Sequence, residues 1–196
     1  QWLLIATFFC CSFQLQAQDT EQKKLQRLFV TATDNSTVEL PEGTFHLNVS
    51  LWLDGKKNVI IKGKGMDKTI LNFTNQVSGA EGIKVTNGQN ITLQDLTVQD
   101  TKGDAIKTQH VNGITFKRVK AEWTRGANSK NGAYGLYPVQ CTNVLIDSCE
   151  ARGASDAGIY VGQSTDVIVR NCHAHGNVAG IEIENTSITQ LLLLIN

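Results

Sequence analysis

Asp104, Lys107 and Asp156 are the residues of this chain whose types and spacing best suit acid–base chemistry. Asp104 lies in the segment KGDAI and Asp156 in SDAGI, and Lys107 directly follows the isoleucine of the first segment. Two carboxyl groups can act as general acid and base on a glycosidic bond or can bind calcium, and a lysine can act as a base or stabilise negative charge. The aspartates can equally cap turns by accepting hydrogen bonds from backbone N–H groups. The sequence leaves both roles open.

Aromatic and polar residues around these positions could bind a ligand. Aromatic rings pack against the C–H faces of sugars, and neighbouring charged groups can bond to sugar hydroxyls. Two tyrosines stacked on a sheet can also do no more than stabilise that sheet. The ligand-binding residues that we predict are Trp123, Arg125, Tyr134, Tyr137, Tyr160 and Glu182.

A repeated step of a small residue and an aliphatic residue predicts how these side chains are positioned. The step recurs at intervals of 23, 30, 23 and 22 residues, so one unit carries a longer loop, WTRGANSKNGAY at 123–134. A constant unit of this length is typical of a solenoid, whose units bury their apolar faces by stacking. The five steps are Gly82-Ile83, Ala105-Ile106, Gly135-Leu136, Gly158-Ile159 and Gly180-Ile181.

Within each unit the apolar residues alternate with polar ones, slip by one position and alternate again. Ile114 and Phe116 are followed in this way by Val119 and Ala121. Period two is strand periodicity with one face turned inward. Three short strands per unit predict an all-β fold, a right-handed single-stranded parallel β-helix. The residues after the five steps then share one outward column, which comprises Lys84, Lys107, Tyr137, Tyr160 and Glu182.

Six segments carry a resemblance to a known family: LPEGTF, IKGKGMDKTIL, GAEGIKVTN, QDTKGDAIK, NGAYGLYPVQ and GASDAGIYVGQS. They resemble the parallel β-helix repeat proteins of the pectate-lyase-like superfamily, and in particular a secreted bacterial family. The resemblance implies a substrate groove along this same sheet, and hence a polysaccharide ligand. If the chain is an enzyme, it implies a polysaccharide lyase or a glycoside hydrolase. It assigns no reaction, because the doubled Asp of the polygalacturonases and the acidic calcium cluster and catalytic Arg of the pectate lyases have no match here.

The two ends of the chain suggest further features. The apolar run Trp2 to Phe13 is too short to span a bilayer and predicts a signal peptide over 1–17, with a lipid-bearing cysteine as the alternative.

Residues 18–36 predict an amphipathic helix and a linker, with Leu25, Leu28, Phe29 and Ala32 in one stripe that covers the first coil. The β-helix is expected over 37–196. Its last coil is expected to need further coils or a partner chain over its open edge.

Charge and cysteine content narrow the function further. Eighteen basic and eighteen acidic residues cancel, which argues against a nucleic-acid partner. Cys149 and Cys172 share one inward column and are expected to stay reduced in the core, and neither the cysteines nor His173 and His175 have the spacing of a metal site. Calcium remains a possible cofactor.

We expect a secreted protein, extracellular or periplasmic, that binds polysaccharide. If the protein is an enzyme, we expect it to process the polysaccharide that it binds. The alternative is a non-catalytic structural or protein-interaction solenoid at the cell surface.

Overall fold

A computed structural model describes residues 21–187 and the short strand Leu193–Leu194. The described part begins with a helix over 21–30, here α1, and continues as strands numbered in chain order. The predicted signal peptide and the remaining C-terminal residues lie outside this part. The strands are β1 Thr37–Glu39, β2 Gly43–His46, β3 Val49–Asp54, β4 Lys57–Lys62, β5 Thr69–Asn72, β6 Ser78–Thr86, β7 Gln89–Gln99, β8 Ile106–Gln109, β9 Asn112–Glu122, β10 Leu136–Val139, β11 Thr142–Asp147, β12 Glu150–Arg152, β13 Ala157–Gly162, β14 Thr165–Arg170, β15 His173–His175, β16 Ala179–Glu184 and β17 Leu193–Leu194.

The strands pair in parallel with strands of the next coil, which confirms the predicted β-helix. Six strands form one wall in the order β3-β6-β8-β10-β13-β16. The other eleven form a second sheet that supplies the remaining walls, because β7 and β9 continue around a corner of the coil. At that corner Asp95, Arg118, Ser148 and Asn171 have positive φ. This bend is the physical cause of the one-residue slip in the alternating pattern, because one residue of each coil forms the turn and belongs to neither strand face.

The interior is a stack of aliphatic columns. Phe116 is completely buried between Leu93 and Ile146 of the neighbouring coils, with which it pairs in register. Each such side chain contributes about 1.5–3 kcal/mol when it is removed from water. Cys141, Cys149 and Cys172 are buried free thiols, which confirms the prediction made for Cys149 and Cys172.

A ladder of asparagine side chains supports a second corner. Asn58 donates to Asn35 Oδ1 at 2.7 Å, Asn90 donates to Asn58 Oδ1 at 2.9 Å, and Asn143 donates to Asn112 Oδ1 at 2.8 Å. The ladder is interrupted at Gly113, which has φ of +82° and where a Cβ would lie 2.6 Å from Asn90 Oδ1. Asparagine tolerates the left-handed backbone of such a turn, so the same residue type can serve the corner in successive coils.

Helix α1 lies against the first coil. Leu25, Phe29 and Ala32 are buried, and the Gln22 side chain accepts a hydrogen bond from the Asn48 N–H at 2.7 Å. Leu28 is 38% exposed, so its predicted place in the buried stripe is wrong. It lies three residues after Leu25, at the margin of the face that Leu25 and Phe29 define. In the described part of the chain no helix is long and apolar enough to cross a membrane.

Candidate functional site

The six-stranded wall presents one continuous outward column of large side chains. Trp52 of β3 pairs with Lys84 of β6, which pairs with Lys107 of β8, and Lys107 pairs with Tyr137 of β10. Leu136 pairs with Ile159, so Tyr137 and Tyr160, the next residues of each strand, are neighbours as well. Tyr160 in turn pairs with Glu182 of β16. The predicted column is confirmed and extended by Trp52.

All three tyrosines of the chain meet on this wall. The Tyr134 and Tyr160 rings are stacked with centroids 4.4 Å apart, the Tyr134 and Tyr137 centroids are 4.7 Å apart, and Tyr137 meets Tyr160 edge-on at 5.2 Å. Tyr134 comes from the end of the 123–134 loop and adds a third ring to the two of the column. We call the outward surface formed by these rings, Lys107, Asp104, Asp156 and Glu182 the tyrosine face.

Gly162 makes room for one of these rings. A Cβ at this position would lie 2.8 Å from Tyr160 Cε1, so the ring leans across the glycine. In this orientation the Tyr160 hydroxyl donates to Glu184 Oε2 at 2.8 Å. That hydrogen bond and burial of the ring raise the pKa of Tyr160 well above its ordinary value, which keeps the hydroxyl protonated.

Asp104 and Asp156 flank Tyr134 from the turns before β8 and β13. Asp104 Oδ1 accepts the Tyr134 N–H at 3.2 Å, which is the turn-capping role that the sequence left open. Burial raises the pKa of Asp104, and the hydrogen bond from the Tyr134 N–H and the charge of Lys107 only partly offset this effect. Burial of Tyr134, together with the charge of Asp156 and a hydrogen bond to it, raises the pKa of Tyr134 to about 12. A carboxyl group with a raised pKa suits proton donation better than an ordinary one.

The charged members of the column lie in two different environments. Lys107 Nζ is 4.8 Å from the centroid of the Tyr137 ring, a cation–π contact that directs the ammonium over the tyrosine face. Lys84 Nζ instead lies 3.5 Å from Glu81 Oε1. At the other end of the column, partial desolvation and the neighbouring Glu184 raise the pKa of Glu182.

Trp123 does not belong to this surface. Its side chain is 1% exposed, and its Nε1 donates to the Thr101 carbonyl at 2.8 Å. Trp123 also contributes to the lining of a small cavity with Arg125, so its ligand-binding role stays a prediction. Trp123 continues the inward alternation of Val119 and Ala121 and anchors the start of the loop.

Arg125 is directed into its own loop. Its guanidinium donates to the Asn131 side chain and, at 3.0 Å, to the Lys130 carbonyl. It also lines a small cavity of about 210 Å³ with Asp100 and Thr124. These bonds hold the loop closed between Trp123 and Tyr134. No contact of Arg125 with the three tyrosines is observed in the described structure, so its ligand-binding role stays a prediction.

Trp52 is the functional candidate that the sequence analysis missed. Its side chain is 53% exposed, while Leu51 and Leu53 on either side of it are buried. The alternation in Leu-Trp-Leu is the signal that would have placed it outward, in line with Lys84.

The acidic side chains of this wall do not converge on a metal-binding position in the described part of the chain. Within residues 21–187, no group of three or more His, Cys, Asp and Glu side chains is placed to hold a metal ion. His173 and His175 stack on each other at 4.4 Å on β15, and His175 lies 3.5 Å from Glu150. Calcium remains a prediction to be tested.

Comparison with known proteins places the chain in a family. A family model for the right-handed β-helix region matches residues 57–193. The chain belongs to the right-handed β-helix family. No curated protein matches it.

Solved structures share the fold at low sequence identity. A putative glycosyl hydrolase from Parabacteroides merdae is similar with a TM-score of 0.56 and 11% identity, over 88% of this chain and 86% of that one. The A-module of the mannuronan C-5 epimerase AlgE4 from Azotobacter vinelandii gives a TM-score of 0.51 and 16% identity, over 83% of this chain and 54% of the module. A pectin methylesterase in complex with a hexasaccharide gives a TM-score of 0.46 and 13% identity over 74% of this chain. This β-helix spans about half, 51%, of that esterase.

Proposed function

We propose that this β-helix binds a polysaccharide along the tyrosine face. The observation that carries the proposal is the convergence of Tyr134, Tyr137 and Tyr160 on the outside of a rigid sheet, with centroids 4.4–5.2 Å apart. Tyrosines that only stabilised a sheet would need no third ring from a loop. Here the loop adds Tyr134, and Gly162 leaves space for Tyr160.

The groups around the rings match what a sugar offers. Sugar rings have apolar C–H faces that pack on aromatic rings and hydroxyls that both donate and accept hydrogen bonds. Lys107 supplies donors, and Asp104, Asp156 and Glu182 supply acceptors at the edges of the aromatic surface. The fold that the chain shares with a mannuronan epimerase is compatible with a glycan ligand, although at 16% identity it carries the fold alone.

We further propose that the protein is a secreted bacterial protein, extracellular or periplasmic, from which residues 1–17 are removed. Only the sequence supports this part, through the apolar run before Gln14. N-terminal sequencing of the exported protein would test it. A mature chain that begins at Gln18 supports the proposal, and one that retains Trp2 contradicts it.

Hydrolysis of the bound glycan is a second candidate, and the raised pKa of Asp104 favours it. In such a reaction Asp104 would protonate the leaving oxygen as the glycosidic bond breaks, and a water molecule would add to the anomeric carbon. Asp156 would accept a proton from that water as it adds, and Lys107 would stabilise the negative charge left on Asp104 after it has given up its proton. Asp104→Asn should then abolish turnover while leaving binding and the circular-dichroism spectrum unchanged. Turnover retained by this variant would exclude Asp104 as the acid.

Binding is tested by presenting the chain to an array of oligosaccharides and measuring the affinities of hits by calorimetry. Tyr137→Ala and Tyr160→Ala should each weaken binding about tenfold, because each removes one stacking ring. Tyr137→Phe, which keeps the ring, and Ile168→Ala, on an outward position of β14, should bind like the unmodified chain. A folded chain that is silent on the array would favour the protein-interaction alternative.

A further inference from the structure

A second cavity opens at the other end of the same column, beside Trp52. It measures about 420 Å³ and is lined by residues that include Ser50, Gly79, Ala80, Glu81 and Lys84. The cavity has a structural cause in the pairing of β3 with β6. Val49 pairs with Ser78 but Leu51 pairs with Ile83, so four residues of β6 lie opposite one residue of β3. The surplus backbone bulges outward and forms one wall, while the Trp52 indole forms another.

The Trp52 ring is held in place although it is exposed. Its Nε1 donates to Thr86 Oγ1 at 2.9 Å, and the Thr86 hydroxyl donates to Asp54 Oδ1. This chain of hydrogen bonds ties the Nε1 edge of the indole to the sheet, and the Trp52 side chain lines the cavity. An exposed aromatic ring whose orientation is already fixed loses little entropy when a ligand packs against it.

The polar groups of the cavity form a neutral pair. Lys84 Nζ and Glu81 Oε1 are 3.5 Å apart, so a positive donor and a negative acceptor stand side by side. A sugar hydroxyl can accept from one and donate to the other. A carboxylate on the sugar would have to compete with Glu81 for Lys84. The pair therefore suits an uncharged, hydroxyl-bearing ring.

The charge of the whole wall also favours an uncharged ligand. Carboxylates outnumber ammonium groups on the six strands of this wall, and a negative surface repels an anionic chain. The carboxylates on these strands are those of Asp54, Glu81, Glu182 and Glu184, and the ammonium groups are those of Lys84 and Lys107.

We propose that the Trp52 cavity is a second subsite, which binds an uncharged sugar ring of the same polysaccharide that lies on the tyrosine face. The inference rests on the proposed function and adds to it a class of ligand and a minimum length for that ligand. Trp52 and Tyr137 are separated by three strand spacings, on the order of 14 Å, so one ligand must be an oligomer to contact both.

The test measures affinity by calorimetry for neutral disaccharides and hexasaccharides of glucose, mannose and xylose, and for hexasaccharides of galacturonate and mannuronate, all in EDTA. The chain should bind a neutral hexasaccharide more tightly than the matching disaccharide and more tightly than either uronate. Trp52→Ala should weaken binding of the neutral hexasaccharide about tenfold, and Trp52→Phe should restore most of it. Trp52 fluorescence should change when the hexasaccharide binds.

The outcomes separate the subsite from the proposed function. If Tyr137→Ala weakens hexasaccharide binding and Trp52→Ala does not, the subsite is refuted and the tyrosine face stands. If a uronate binds as tightly in EDTA as the neutral chains, the assignment of an uncharged ring is refuted. Uronate binding that needs added calcium would refute it too, since a bound cation would then reverse the charge of the wall. If no saccharide binds the folded chain, both proposals fail together.

Discussion

Asp104 on the tyrosine face and two aspartates at a corner of the eleven-stranded sheet have pKa values that are shifted in opposite directions. At the corner of the eleven-stranded sheet, Asp95 accepts from Arg118 Nε at 2.6 Å and Asp147 accepts from Arg170 Nη2 at 2.8 Å. These arginine partners lower the pKa of both aspartates. On the tyrosine face, burial raises the pKa of Asp104 instead. No arginine bonds to Asp104 in the described structure.

This difference separates scaffold from candidate site. An aspartate held by an arginine in the next coil stabilises the stack in its ionised form. A partly buried carboxyl group without such a partner opposes folding when it ionises, and this cost is expected where a group is kept for function. The repeat supplies the same positions on every coil, so the choice of partner, rather than the backbone, distinguishes the two sides.

The largest effect is expected for a residue that both sides share. Phe116→Ala should lower the free energy of unfolding by about 3–5 kcal/mol, because it leaves a cavity between Leu93 and Ile146. Denaturant melts measure this loss. A loss below about 1 kcal/mol would show that the inward register is wrong.

A scaffold substitution should act on stability alone. Asp147→Ala should lower the free energy of unfolding by about 1–2 kcal/mol at neutral pH, since it removes charged hydrogen bonds from a partly exposed Arg170. The hydrogen bonds from Arg170 lower the pKa of Asp147 in the folded state, so its contribution is fully present above the ordinary aspartate pKa and is lost as the pH falls from there through the lowered pKa. The difference between the melts of variant and unmodified chain should therefore vanish in acid. Weaker glycan binding by this variant would contradict the assignment of Asp147 to the scaffold alone.

A substitution on the tyrosine face should act on binding and spare stability. Gly162→Ala places a methyl group against the Tyr160 ring, which can swing away at small cost because it is the exposed end of a side chain. We expect glycan affinity to fall about threefold, with the melt nearly unchanged, because one of three rings is displaced. Gly180→Ala serves as the control for adding a methyl group, since Gly180 has no positive φ and its Cβ would only make ordinary contacts with Ala174, at 3.6 and 3.8 Å. Equal affinities of the two variants would argue against a role for the Tyr160 orientation.

The smallest effect concerns the sign of a pH dependence. The pKa of Asp104 is raised in the folded state, so ionisation of this group costs stability as the pH rises from the ordinary aspartate range through the raised pKa. Asp104→Asn keeps an oxygen that can accept the Tyr134 N–H and removes that cost. The variant should be slightly more stable than the unmodified chain at neutral pH and no more stable in acid. Destabilisation at neutral pH would mean that Asp104 is a scaffold aspartate like Asp147.

The fold was predictable from the sequence because stacking forces like residues into like positions. The spacing of the small-aliphatic steps predicted which strands are neighbours, and the pairing of Ile83 with Ile106 and of Ile106 with Leu136 bears this out. The slip in the alternation predicted a bend but not its residue chemistry. The positive φ of Asp95 and Arg118 provides that detail.

The candidate site was predictable only in part. Tyr137 and Tyr160 follow strict period two, whereas Tyr134 precedes β10 in a turn, so alternation could not place its ring. Trp123 was taken for a surface residue because it opens the long loop, although it continues the inward period of Val119 and Ala121. Trp52 was missed for the opposite reason, because its coil shows the repeat least clearly.

The most direct test of the account is an NMR titration of the chain with ¹³C-labelled tyrosine rings against a neutral hexasaccharide that it binds. Tyr134, Tyr137 and Tyr160 give the tyrosine signals, and all three belong to the proposed binding surface. We predict that the signals of all three rings shift and saturate together, at the affinity that calorimetry measures. A saturated complex in which the three ring signals stay at their free positions would contradict the proposal that glycan lies on the tyrosine face.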